Sequence, residues 1–214
     1  MEKLERALSS FLDHSDLACP LAQVLTLACK RSKVSYGEVQ GMIQASADDV
    51  LLLAIKLRLL LPVRTLRSAA WEDRVFLAEL GERYEVPNII RFLVENAGAT
   101  GEWVPDDALV EAFRLAGEPQ WKQLPELVAK LGERSQHLRI DAVQIKEVCI
   151  ELGLGDRVDA LIAELKGSGV MSPKLGSLAE VTRAGFPMYE LNPSIFVRKN
   201  YGHGMDPKHI ATRL

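Results

Sequence analysis

The side chains whose type and spacing could do chemistry in this 214-residue chain are mostly cations, in two groups. Lys30, Arg31 and Lys33 stand almost side by side, and Arg64 and Arg67 follow on a later segment. Lys174 and Arg183 begin a second group that Arg198 and Lys199 extend. Such residues can neutralise phosphates, through contacts that ignore base sequence and weaken with salt. The plainer reading of each group is a solvated surface. The formal net charge of −3 leans toward the plainer reading, because a dedicated nucleic-acid binder carries a basic balance at least locally.

The other reactive side chains point to no catalysis. The sequence holds no Walker phosphate loop, no GxGxxG and no GxSxG elbow. Asp48-Asp49 and Asp106-Asp107 sit where helices begin, and there carboxylates oppose the positive end of the helix dipole. His203 and His209 flank Asp206 in a segment with Gly202, Gly204 and Pro207, which gives a metal no rigid frame. Cys19, Cys29 and Cys149 form no CxxC pair and are odd in number, so buried free thiols in a reducing compartment are expected. The expectation is a protein that is not an enzyme and uses no cofactor or metal.

The elements that must position these residues are chiefly amphipathic helices. Met1 to His14 puts Leu4, Leu8, Phe11 and Leu12 on one face. A second helix runs from Leu21 to the basic cluster. Ser35 and Glu38 have capping-box spacing and open a third, and Ser46 and Asp49 repeat that spacing before a fourth that ends near Leu60. Leu61–Arg67 and Arg74–Leu77 read as two strands of a hairpin with Trp71 near its tip. Helices opened by Pro87, Pro105 and Pro119 fill the middle, with Glu102-Trp103-Val104 as a possible strand between them. Two more helices, Asp141 to Leu152 and Asp156 to Lys166, precede closing strands at Val170-Met171 and Pro187 to Val197. The run from Val50 to Val63 is the most apolar, but it is too short for a bilayer and carries Lys56 and Arg58. The first residues show no apolar signal core. A soluble, cytoplasmic protein is expected.

The close of the chain, Met188-Tyr189-Glu190-Leu191-Asn192-Pro193 after Gly169-Val170-Met171, resembles the winged helix-turn-helix superfamily. Leu21 to Leu77 is similar to it in order and spacing. The resemblance implies a mostly α protein with small β-hairpins and tandem winged-helix units. The expected segments are an N-terminal helix (1–20), a first unit (21–84), a helical connector or degenerate third unit (85–120), a second unit (121–197) and a flexible tail (198–214).

Two functions are compatible with that fold. One is a DNA-binding or DNA-associated regulatory protein that grips the duplex backbone through Lys30, Arg31, Lys33, Arg64, Arg67, Lys174 and Arg183. The other is a protein-interaction or assembly module, with Leu51, Leu52, Ile55 and Trp71 meeting the partner. The helices that should read bases begin with Asp48-Asp49 and Asp156, which repel phosphate. A homodimer through the first helix is expected, because its apolar face needs a surface.

Overall fold

Two strand-to-helix junctions organise the molecule, a computed structural model that describes residues 1–175 and 187–197. At the first, strand β1 (Lys33–Ser35) turns into helix α3 (Tyr36–Ile43). The Ser35 hydroxyl accepts from the Glu38 N–H, and the Glu38 carboxylate accepts from the Ser35 N–H, so two orphan donors are satisfied at once. At the second, strand β4 (Arg139–Asp141) turns into helix α8 (Ala142–Glu151) through the same reciprocal box, built from Asp141 and Gln144. The expected box at Ser46 does not form. The Ser46 hydroxyl turns back to the Ile43 carbonyl instead, in a 3-10 turn that runs directly into α4 (Ala47–Lys56).

Around each junction the chain lays down a helix, a strand, two helices and two strands. In the first set these are α2 (Ala18–Arg31), β1, α3, α4, β2 (Leu61–Pro62) and β3 (Arg83–Glu85). In the second they are α7 (Leu124–Arg134), β4, α8, α9 (Val158–Ser168), β5 (Met171–Lys174) and β6 (Met188–Leu191). Each sheet is antiparallel and has its last strand in the middle, in the orders β1-β3-β2 and β4-β6-β5. The registers match. Val34 faces Tyr84 and Ile140 faces Tyr189, Lys33 faces Glu85 and Arg139 faces Glu190, and Pro62 and Pro173 each lie beside the central tyrosine. A proline fits there because β2 and β5 are edge strands.

The hairpin expected over residues 61–77 is placed differently. Arg74–Leu77 is not a strand, and residues 64–75 keep only a Thr65–Arg74 bridge and two flanking bonds. The strand that closes the sheet is Arg83–Glu85, with one apolar side chain, the fully buried Tyr84. The consecutive apolar residues at 75–77 imitate a strand, but ladder pairing through Tyr84 wins because it buries a large ring.

Between the two sets lie α5 (Asn88–Thr100) and α6 (Pro105–Leu115), with no strand at Glu102-Trp103-Val104. The middle is a helical connector. Helix α1 (Glu2–Ser9) packs on α2 and α5 of its own chain and buries Leu4, Ala7 and Leu8. Lys3 and Arg6 donate to the Ala99, Thr100 and Gly101 carbonyls at the end of α5, where the helix dipole favours cations. The apolar face on which a dimer was expected is therefore filled from within. One continuous core runs from Leu4 to Ile195. Among the described residues no helix is long and apolar enough to cross a membrane. The tail expected at 198–214 lies outside the described residues.

Candidate functional site

Left-handed Ser32 (φ 68°) ends α2 and turns the chain into β1. That turn gathers Arg31, Lys33 and Arg83 around a shallow open depression, with Lys30 exposed beside it. The cations expected to share one edge with these, Arg64 and Arg67, lie past β2, and β3 runs between the two sets. They occupy opposite edges of the sheet.

Most of these cations already have anions. Arg31 pairs with Glu38, whose carboxyl is held below its ordinary range by the Ser35 backbone N–H first, then by the Ser35 hydroxyl and Arg31. Lys33 lies 3.9 Å from Glu85, Arg64 2.9 Å from Glu82 and Lys174 2.6 Å from Glu72. Lys30, Arg67 and Arg83 are exposed and make no ion pair among the described residues. Arg183 lies outside the described residues.

The second helices open with exposed carboxylates instead, Asp48 and Asp49 on α4 and Asp159 on α9, although Lys166 balances the charge of α9. Helix α4 buries Val50, Leu51 and Ala54 and exposes Asp48, Asp49 and Leu52. Leu51, expected to meet a partner, is fully buried and cannot; Ile55 is half-buried against the core, and Leu52 is 49 % exposed. The Tyr36 hydroxyl donates to Asp48 at 2.6 Å and fixes that carboxylate at the helix start. Helix α9 buries Leu161 and Leu165 and exposes Asp159, Ala160, Ala163 and Lys166. Neither face offers the Arg, Asn or Gln that direct base readout uses.

Trp71 is also buried, 4 % exposed, and its partner is the rest of the chain. It sits in a 3-10 turn (Trp71–Asp73) of the loop between β2 and β3, and its N–H donates to the Ser172 hydroxyl on β5. The Arg58 guanidinium lies 5.6 Å above the Trp71 ring and donates twice to the Glu190 carboxylate on β6. Arg58 is left-handed (φ 55°), and the Leu59 N–H beyond it donates back to Ala54. Gly169 (φ 82°) ends α9 in the same way, with the Val170 N–H donating back to Leu165. The amide of fully buried Asn192 donates to the carbonyls of both Arg58 and Gly169, at 3.3 and 3.0 Å. Its oxygen accepts from the Ser194 N–H and hydroxyl, and the Trp103 indole N–H donates to the Ser194 carbonyl. One asparagine thus joins the corresponding helix ends of the two units. The sequence reading missed this junction, although Arg58 inside an apolar run and Asn192 after an apolar strand were signals that buried partners exist.

Cys29 and Cys149 are shielded thiols. Cys149 is buried, and burial pushes the Cys29 thiol up to about 12 despite the nearby Arg91. Thiolate is the nucleophile, so such a thiol is inert at neutral pH.

Residues 3–200 match a protein-family model, and the chain belongs to that family. The match spans both three-stranded units and the helices between them. No curated protein and no solved structure matches the chain.

Proposed function

We propose that the two units are winged helix-turn-helix units, and that this member of the family is a rigid tandem winged-helix module that binds another protein rather than reading duplex DNA. The repeated helix, strand, two helices and strand pair, with the last strand central, supports the fold assignment. The observation that carries the functional reading is the charge of the second helices. A duplex meeting α4 would meet Asp48 and Asp49, and the cations nearby would have to leave carboxylates first. The surface fits a partner segment that sets basic side chains around an apolar one, over Asp48, Asp49 and Leu52. The Arg58, Trp71 and Asn192 junction supports a scaffold, because it fixes the spacing of the two units. The expectation that the chain is not an enzyme belongs to this reading. The DNA reading keeps one observation of its own, the exposed and unpaired Lys30, Arg67 and Arg83.

A photo-crosslinker placed at Leu52 in the cell, against one at exposed Ala99 as control, tests the proposal. The expected result is one dominant protein adduct, lost in Asp48→Lys/Asp49→Lys. The companion measurement is an electrophoretic shift with nonspecific duplex at low salt. No retardation at micromolar protein is expected. Retardation that is lost on adding salt and abolished by Lys30→Ala/Arg83→Ala would replace the protein-partner reading with the DNA one.

A further inference from the structure

The only deeply buried carboxylate side chain with a free oxygen, among the described residues, lies at the seam between the connector and α9. Glu118 follows α6 in the turn capped by Gly117, and its side chain is 0 % exposed. Its Oε1 accepts from the Gln120 N–H and pairs with Arg157, which precedes α9. Arg157 also reaches Glu164, one turn and a half along α9, at 3.5 Å. The second oxygens of Glu118 and Glu164 are both buried, and neither finds a donor. Arg157 holds the two carboxyls side by side, one on each of its terminal nitrogens.

Two carboxylates cannot hydrogen-bond without a proton, and a buried acceptor left bare is costly. One proton between them would satisfy both oxygens. It would also bring the cluster of two carboxyls and one guanidinium to neutrality. We infer that Glu118 and Glu164 share one proton beneath Arg157, and that this proton latches α9 to the connector.

The titration supports the geometry. Glu164 is raised to about 7, by burial first and then by its bond to Glu118 and the charge of Glu118, with Arg157 opposing. For Glu118, burial is the largest influence and pushes upward. The bonds from Glu164, Arg157 and Gln120 outweigh it, so Glu118 stays below the ordinary range. Most charged groups of the other elements packed on α9 are engaged elsewhere; Glu95 of α5 acts on Cys29, and Lys146 of α8 and Asp156 before α9 are exposed. Arg91 of α5 bonds the Cys29 and Ser32 carbonyls, Glu147 and Glu151 of α8 face Arg134, and Lys174 of β5 holds Glu72. Asp159 on α9 itself acts on Tyr189.

The sign follows from linkage. A carboxyl raised in the folded state binds a proton that the unfolded chain has already lost. Its stabilisation is complete below the unfolded value of 4.5 and is lost as pH rises through about 7. Proteins stabilised by ordinary paired carboxylates behave in the reverse sense.

The test uses the full chain. With glutamate labelled at Cδ, one carboxyl resonance should titrate near pH 7 and vanish in Glu164→Gln. The melting temperature of the wild type should fall by about 2–6 °C from pH 6 to pH 8.5 beyond any change in Glu164→Gln, which keeps a donor at every pH. Protection factors over α9, with the base-catalysed intrinsic exchange divided out, should fall across the same window in the wild type alone. If Glu164→Gln does not fold, Glu118→Gln serves, and Glu164 should then titrate lower than in the wild type, with only its burial left to raise it. The inference is overturned if no glutamate titrates above pH 6, or if wild type and variant share one pH slope. It is overturned as well if magnesium or calcium at pH 8.5 restores the lost degrees, which would make the latch a cation site. None of these outcomes depends on the partner proposed for α4.

Discussion

Glu85 and Glu190 occupy the same slot in their sheets, on the central strand opposite Lys33 and Arg139, yet they hold different things. Glu85 grips Arg74 of its own unit at 2.9 Å, and Arg74 also donates to the Pro62 carbonyl. Glu190 reaches across to Arg58 of the other unit. The helix ends differ in the same sense. Gly169 adopts its left-handed conformation without cost, whereas an arginine there carries roughly 1–2 kcal/mol of backbone strain. Arg58 is kept in that conformation because its side chain lies between Glu190 and Trp71. Two copies of one fold have diverged where they touch, and the first unit supplies the strained residue and the anchoring loop.

Five substitutions break or sharpen that comparison. Trp71→Ala should be the most damaging, with about 3–5 kcal/mol lost in urea unfolding, because it empties the contact between the two units. Early proteolysis within residues 64–75 should accompany the loss; cleavage at the wild-type rate would show that the loop does not depend on the junction. Asn192→Ala should cost about 2–4 kcal/mol, since it strips the Arg58 and Gly169 carbonyls and the Ser194 hydroxyl of their partner at once. A cost near 1 kcal/mol, with two resolved unfolding transitions, would mean that the units are only loosely joined. Arg58→Gly relieves strain but removes the bridge, and a net loss of about 1 kcal/mol is expected. A gain in unfolding midpoint would assign Arg58 to strain alone. The smallest effects belong to the features that the two units share. Ser35→Ala and Asp141→Ala should each cost about 1 kcal/mol in chemical denaturation, and unequal costs would show that the boxes are not equivalent.

Part of this was legible along the chain. The Ser35–Glu38 box was readable because its partners are three residues apart and act locally. The Asp141–Gln144 box escaped notice because its residues differ in type from the first. The Ser46–Asp49 spacing misled, because a 3-10 turn brings the chain into α4 without the extended residue that a cap requires. The closing strand was sought at 74–77, where apolar residues crowd, while the real one carries a single tyrosine between two charges.

The sequence by itself determined most of the helices and the repeated order of elements, because those follow from apolar periodicity and from bonds between near neighbours. It also set acidic starts on both second helices. Tertiary structure decided where most of the cations went: Arg64 and Lys174 met carboxylates in loops 18 and 102 residues away, while Arg31 met Glu38 on the next helix. It likewise turned Trp71 and Leu51 inward, covered the first helix from within its own chain, and set Asn192 between two helix ends more than a hundred residues apart. Charge pairing and burial are properties of space, and a list of residues in order does not contain the distances that fix them.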